Sequence, residues 1–86
     1  MLFDNKKIGR FSLPISIVEQ NPITIKKLFS EMIIVEALIR PSSEIEYTAI
    51  CDKFEERTEG YGIPMYSIDF IKEDGKKINY DIRRVL

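Results

Sequence analysis

Apolar and polar positions change their period along this chain, and the changes mark out its elements. Ile8 to Phe11 opens as a short strand after a charged start. Phe11, Leu13, Ile15 and Ile17 then alternate with Ser12, Pro14 and Ser16, the period-two pattern of a strand. The same stretch holds Ser16-Ile17-Val18-Glu19, which fits a capping box, and Ser12 ahead of Pro14 suits the opening of a helical turn. Both remain open, with the balance on a helical turn over 14–20. Helical period is clear next. Asn21-Pro22 offers an N-cap and a proline at the first helical position, where its missing N–H is not needed. Ile25, Leu28, Phe29 and Met32 recur at helical spacing, with Lys26, Lys27 and Ser30 facing away. The spacing predicts a helix over 22–31.

From Met32 onward β-branched residues and alternation dominate. Met32 to Arg40, Glu44 to Phe54, Pro64 to Lys72 and Lys77 to Val85 read as four strands. A Pro41-Ser42-Ser43 loop joins the first two. It pairs Ile39 with Ile45, Ala37 with Tyr47, Val35 with Ala49 and Ile33 with Cys51, all on one apolar face. A Glu73-Asp74-Gly75 loop joins the last two, with Gly75 in the left-handed position. It pairs Phe70 with Ile78, Ile68 with Tyr80 and Tyr66 with Ile82, since a one-residue slip would set apolar against polar across the ladder.

The expected fold is α+β: one main helix packed on a four- to five-stranded antiparallel meander, in the order β-α-β-β-β-β. A cystatin-like layout fits that order as an analogy of arrangement alone. The first hairpin is apolar on both faces. Its second face carries Met32, Ile34, Leu38, Ile50 and Phe54, which one helix cannot also cover.

Composition narrows the class. The 86 residues suit one domain, residues 1–86, and the 44% apolar and 31% charged shares are globular. Burial worth on the order of 130 kcal/mol at ~25 cal/mol/Å² is met by a similar ordering cost at about 1.5 kcal/mol per residue. A lone domain of this size is therefore marginal, and association would help it. The net charge of -1 exerts no general pull towards nucleic acid or an anionic membrane. Met1-Leu2-Phe3 runs into Asp4 and then Lys6-Lys7 with no apolar core segment, and Met32 to Ile39 is too short to span a bilayer. A cytoplasmic protein without membrane contact is expected.

Candidate chemistry is sparse. Histidine is absent and Cys51 is the single cysteine, which removes the usual zinc sites and the commonest acid–base group. Cys51 falls on the inward face of a strand and reads as structural. Asp69, Asn79 and Asp81 share the outer face of the last hairpin, where a solvated polar surface is the simpler reading than a cation site. No catalytic residue, cofactor or metal is expected.

Two surfaces stand out instead. The back-face residues Ile34, Leu38, Ile50 and Phe54, with Tyr61 on the glycine-containing 55–63 loop, suit a partner or dimer interface. Lys76, Lys77, Arg83 and Arg84 make the last hairpin basic, and Lys6, Lys7 and Arg10 do the same for the start, which suits phosphate contacts. The leading expectation is a small non-enzymatic protein-binding module, an inhibitor or adaptor acting by surface occlusion, homodimeric or bound to another protein. The second is a nucleic-acid-binding protein using the basic hairpin and the N-terminus. The third is a carboxylate-based, metal-dependent phosphodiesterase.

Overall fold

The structure is a computed structural model, and it describes residues 6–57, 60, 62–73 and 77–85. The chain is α+β, with antiparallel sheets and two short helices. The order is β1 (Ile8–Pro14), α1 (Ile15–Gln20), α2 (Pro22–Ser30), β2 (Met32–Arg40), β3 (Glu44–Cys51), β4 (Tyr66–Glu73) and β5 (Lys77–Arg84). Both patterns seen over 11–20 are real, one after the other. The alternation holds as strand through Pro14, and the helix starts at Ile15. The capping box does not form: α1 is entered from Pro14 with no side-chain cap. Asn21 does not cap α2 through its side chain either. Its Nδ2 donates to the Ile17 carbonyl at 3.2 Å and so closes the end of α1, while Pro22 starts α2 as expected. α2 lies where the helix over 22–31 is expected and α1 where the helical turn is expected, but both are short, so the layout is not one main helix laid across a sheet.

The sheet is not a meander. β1 pairs antiparallel with β3, and β2 pairs with β3's other side, giving the order β1-β3-β2. β4 and β5 form a separate antiparallel pair. Their hairpin meets the far edge of β1, where Arg10 bridges Met65 in parallel and its N–H donates to the Pro64 carbonyl at 2.9 Å. β1 therefore lies between β3 and the second hairpin. The cystatin-like arrangement requires sequential neighbours and does not hold. The inner face of β1 is enclosed by the core, with Phe11 and Leu13 0% and 1% exposed.

That core gathers the inner faces of all the elements. Phe11 stacks on Tyr47 at 5.4 Å between centroids, and Phe29 of α2 meets the Tyr47 ring edge at 5.0 Å. Ile25 and Leu28 enter from α2, and Ile17 and Val18 pack from α1. Ile68, Phe70, Tyr80 and Ile82 close the core from the second hairpin. Phe54, expected at the end of a long strand, lies past the end of β3 and stacks on Tyr66 at 4.3 Å. Both rings lie over Gly9, where a Cβ would fall 2.7 Å from Tyr66 and 2.8 Å from Phe54.

Both hairpin registers differ from expectation in an instructive way. In β2–β3, Ile39 opposes Ile45 and Ala37 opposes Tyr47, as the alternation requires. A bulge at Val35 then shifts the rest, so Ile34 opposes Ala49 and Met32 opposes Cys51. Met32 and Ile34 turn inward, while Ile33 and Val35 turn out to 43% and 55% exposure. In β4–β5 the faces are as expected, but the register is two residues further on: Phe70 opposes Tyr80 and Ile68 opposes Ile82. A two-residue slip keeps every side chain on its face, so the alternation that excludes odd slips is blind to even ones. Gly75 lies outside the described residues.

Candidate functional site

Among the described residues, the most exposed apolar element is β2. Beyond Met32 and Ile34, every residue of this strand is exposed. Val35 reaches 55%, Leu38 42% and Ile39 77%. The reason is topological: among the described residues β2 pairs with β3 alone, and its other edge has no strand beside it. An unpaired edge presents a row of backbone N–H and C=O groups able to pair with another strand.

The ladder determines which groups those are. Cys51 N–H donates to Lys7 and Ile15 N–H donates to Ser43, so the odd-numbered residues of β3 turn to β1. Its even-numbered residues Glu44, Glu46 and Thr48 turn to β2, where Arg40, Leu38 and Glu36 oppose them. Ala37 and Ile39 therefore direct their N–H and C=O groups to the open edge. Their side chains lie on the inner face with Tyr47 and Ile45.

The outer face of the three-stranded sheet is layered by row. Ile8, Ile50 and Ile33 lie side by side in one apolar row. The next rows are polar. Arg10 Nε donates to Thr48 Oγ1 at 3.1 Å and lies 3.8 Å from Glu46, and Arg40 Nη2 reaches Glu46 Oε1 at 2.7 Å. Leu38 opposes Glu46 within this charged zone.

Against this geometry the residues singled out from sequence separate. Leu38 and Ile50 lie on the outer face, Leu38 exposed and Ile50 half-buried. Ile34 and Phe54 do not: the bulge brings Ile34 to the inner face, and Phe54 is 2% exposed within the core. Tyr61 lies outside the described residues. The exposed residues that the sequence pattern assigned inward are Ile33, Val35 and Ile39. An uninterrupted alternation puts all three against the helix, and the even apolarity of Met32 to Val35 leaves no signal for the bulge.

The basic hairpin is partly engaged internally. Arg83 Nη2 lies 3.4 Å from Asp69, and Arg84 is hydrogen-bonded to Glu55, which raises its pKa further. Lys76 and the side chain of Lys77 lie outside the described residues. Asp69 and Asp81 oppose each other across the ladder. Among the described residues no three carboxylate, cysteine or histidine groups come together to hold a metal ion. Cys51 is 1% exposed, and burial pushes its thiol pKa up despite a backbone hydrogen bond involving Lys53. A neutral, enclosed thiol is a poor nucleophile. Among the described residues no helix is long and apolar enough to cross a membrane.

No protein-family model, curated protein or solved structure matches this chain significantly.

Proposed function

We propose that this chain is a small non-enzymatic protein-binding module, homodimeric, whose contact element is the open edge of β2. One observation carries the reading: a nine-residue strand at a sheet edge exposes Val35, Leu38 and Ile39 together with the outward backbone groups of Ala37 and Ile39. Strand addition at such an edge supplies main-chain hydrogen bonds, and the flanking side chains add burial and selectivity. The bulge at Val35 limits where that addition can run, because it bends the strand and interrupts the pairing pattern. Residues 36–40 form the regular segment beyond it. An adaptor or inhibitor built this way works by occupying a strand edge and needs no reactive side chain.

Ile39→Pro tests the reading directly. It deletes an N–H directed to the open edge and leaves the β2–β3 ladder bonds in place, and proline is tolerated at edge positions of this kind. Sedimentation velocity at low and high micromolar concentration should show the wild-type chain passing from monomer to dimer. Ile39→Pro should stay monomeric with an unchanged far-ultraviolet circular dichroism spectrum. A wild-type chain that stays monomeric throughout, with the Ala37 and Ile39 amides protected from exchange at every concentration, would show that the chain covers this edge itself.

A further inference from the structure

The edge also specifies how a second copy would pair with it. This step rests on the dimer reading above and goes further, to the register and to the side chains that select it. We infer that two copies join β2 to β2 in antiparallel fashion, with the two-fold axis passing beside Leu38.

The argument starts from the backbone. Ala37 and Ile39 turn their N–H and C=O groups outward, and Glu36, Leu38 and Arg40 turn theirs to β3. Two such edges bond only when outward residues face outward residues, which excludes every register that sets an odd position against an even one. A two-fold dimer uses the same patch on both copies. Three centres within the regular segment then satisfy the backbone: Ala37, Leu38 and Ile39. Centring on Ile39 sets Ala37 opposite Pro41 of the second copy, and proline has no N–H to donate. Centring on Ala37 runs the pairing into the bulge at Val35 and sets Glu36 opposite Leu38.

Centring on Leu38 meets neither obstacle. Ala37 opposes Ile39 of the second copy, Ile39 opposes its Ala37, and each pair exchanges N–H···O=C bonds. Leu38 opposes Leu38. Glu36 opposes Arg40 of the second copy, and Arg40 opposes its Glu36. Both charged residues lie on the outer face of the sheet, as does Leu38. Arg40 already holds Glu46 at 2.7 Å, so the added carboxylate extends an existing ion network across the axis. The strand segment Glu36-Ala37-Leu38-Ile39-Arg40 is thus complementary to itself when reversed: acid meets base at each end, and apolar meets apolar between. Glu36 and Arg40 are the residues that determine register.

Cysteine scanning reads this register. At the axis, a Leu38→Cys pair sits in a non-hydrogen-bonded position with Cα atoms roughly 4.5 Å apart, within the range a disulfide spans. Glu36→Cys residues would lie about 14 Å apart, four residues out of step at ~3.4 Å each, well beyond that range. Mild oxidation should therefore give a covalent dimer of Leu38→Cys and none of Glu36→Cys, with the enclosed Cys51 unreactive in both. Charge reversal gives a second readout. Glu36→Arg or Arg40→Glu alone should weaken the dimer by roughly tenfold, since the symmetry places each like-charge contact in the interface twice. The double variant should bind more tightly than either single variant, since it restores acid against base across the axis, and it stays below wild type because residue 40 no longer pairs with Glu46. A dimer sensitive to Ile39→Pro that cross-links at Glu36→Cys and not at Leu38→Cys overturns the register while the edge remains the contact. A dimer insensitive to Ile39→Pro overturns both.

Discussion

Gly9 shows how one residue admits an aromatic pair. The Phe54 and Tyr66 rings stack face to face, and both lie over the Gly9 backbone, closer than any Cβ tolerates. The same Tyr66 accepts no substitute at its tip without loss, because its hydroxyl receives the Glu55 N–H at 2.8 Å. Gly9 thus lets the connection from β3 to β4 fold down against β1. Gly9→Ala should lower unfolding stability by about 1–3 kcal/mol, the usual effect of forcing a methyl group into a filled core. Urea denaturation followed by tyrosine fluorescence measures it, and an unchanged midpoint would mean the rings do not lie over this residue. Nothing in the sequence marked Gly9 for this role. Its partners are 45 and 57 positions away, and a lone glycine in a strand signals close approach without naming what approaches.

Among the elements, the β2–β3 hairpin carries the exposed apolar strand. Its loop was legible: Pro41, Ser42 and Ser43 form the turn, with Ser43 N–H donating to the Arg40 carbonyl at 3.2 Å. The turn holds Ser43 at φ 63°, a conformation that strains a residue with a Cβ. Ser43→Gly should therefore stabilise the hairpin, raising unfolding free energy by about 0.5–1 kcal/mol once the greater freedom of glycine in the unfolded chain is set against the relieved strain. A thermal melt that falls on this change would place the strain elsewhere. The bulge at Val35 was not legible. Met32, Ile33, Ile34 and Val35 are all apolar, so either face of the strand satisfies burial locally. What selects the inward pair is the three-dimensional setting, in which Met32 follows directly from the end of α2 and drops into the core beside Cys51. The helices repeat the lesson. Ser16 and Asn21 carry capping chemistry, yet neither caps its own helix through its side chain, because the chain enters α1 from a strand and α2 from the end of α1.

For the whole molecule, the aromatic cluster around Tyr47 couples folding to high pH. Burial holds the Tyr47 hydroxyl pKa above its ordinary value of 10.0. The neutral phenol is thus favoured in the folded chain, and the sign follows. Its contribution is complete below about pH 10, where both states are neutral, and it declines as pH rises through the raised folded value. Tyr47→Phe should flatten that decline. The check is a comparison of urea midpoints for the two proteins from pH 8 upward. Parallel curves would mean that Tyr47 ionises as readily folded as unfolded. At the same scale, the order of strands decides which edge is left open. β1 pairs with β3 on one side and meets the second hairpin at Arg10 and Met65 on the other, while β2 lies at the rim.

The sequence by itself determined the class of the fold, the strands' existence, the loop at 41–43 and which faces of β4 and β5 turn inward. These depend on local period and turn chemistry, which act between neighbours. It also directed attention to the β2–β3 hairpin, because an element apolar on two sides needs cover that a small chain struggles to provide. The tertiary structure decided the rest: the place of β1 beside β3 and against the second hairpin, the bulge that exchanged Ile33 and Val35 for Met32 and Ile34, the two-residue offset of the last hairpin, and the open edge at Ala37 and Ile39. Each is a choice between arrangements that satisfy the same local pattern. Only packing between residues distant in sequence separates them, as when Phe54 and Tyr66 close over Gly9 or Phe29 of α2 meets Tyr47 of β3.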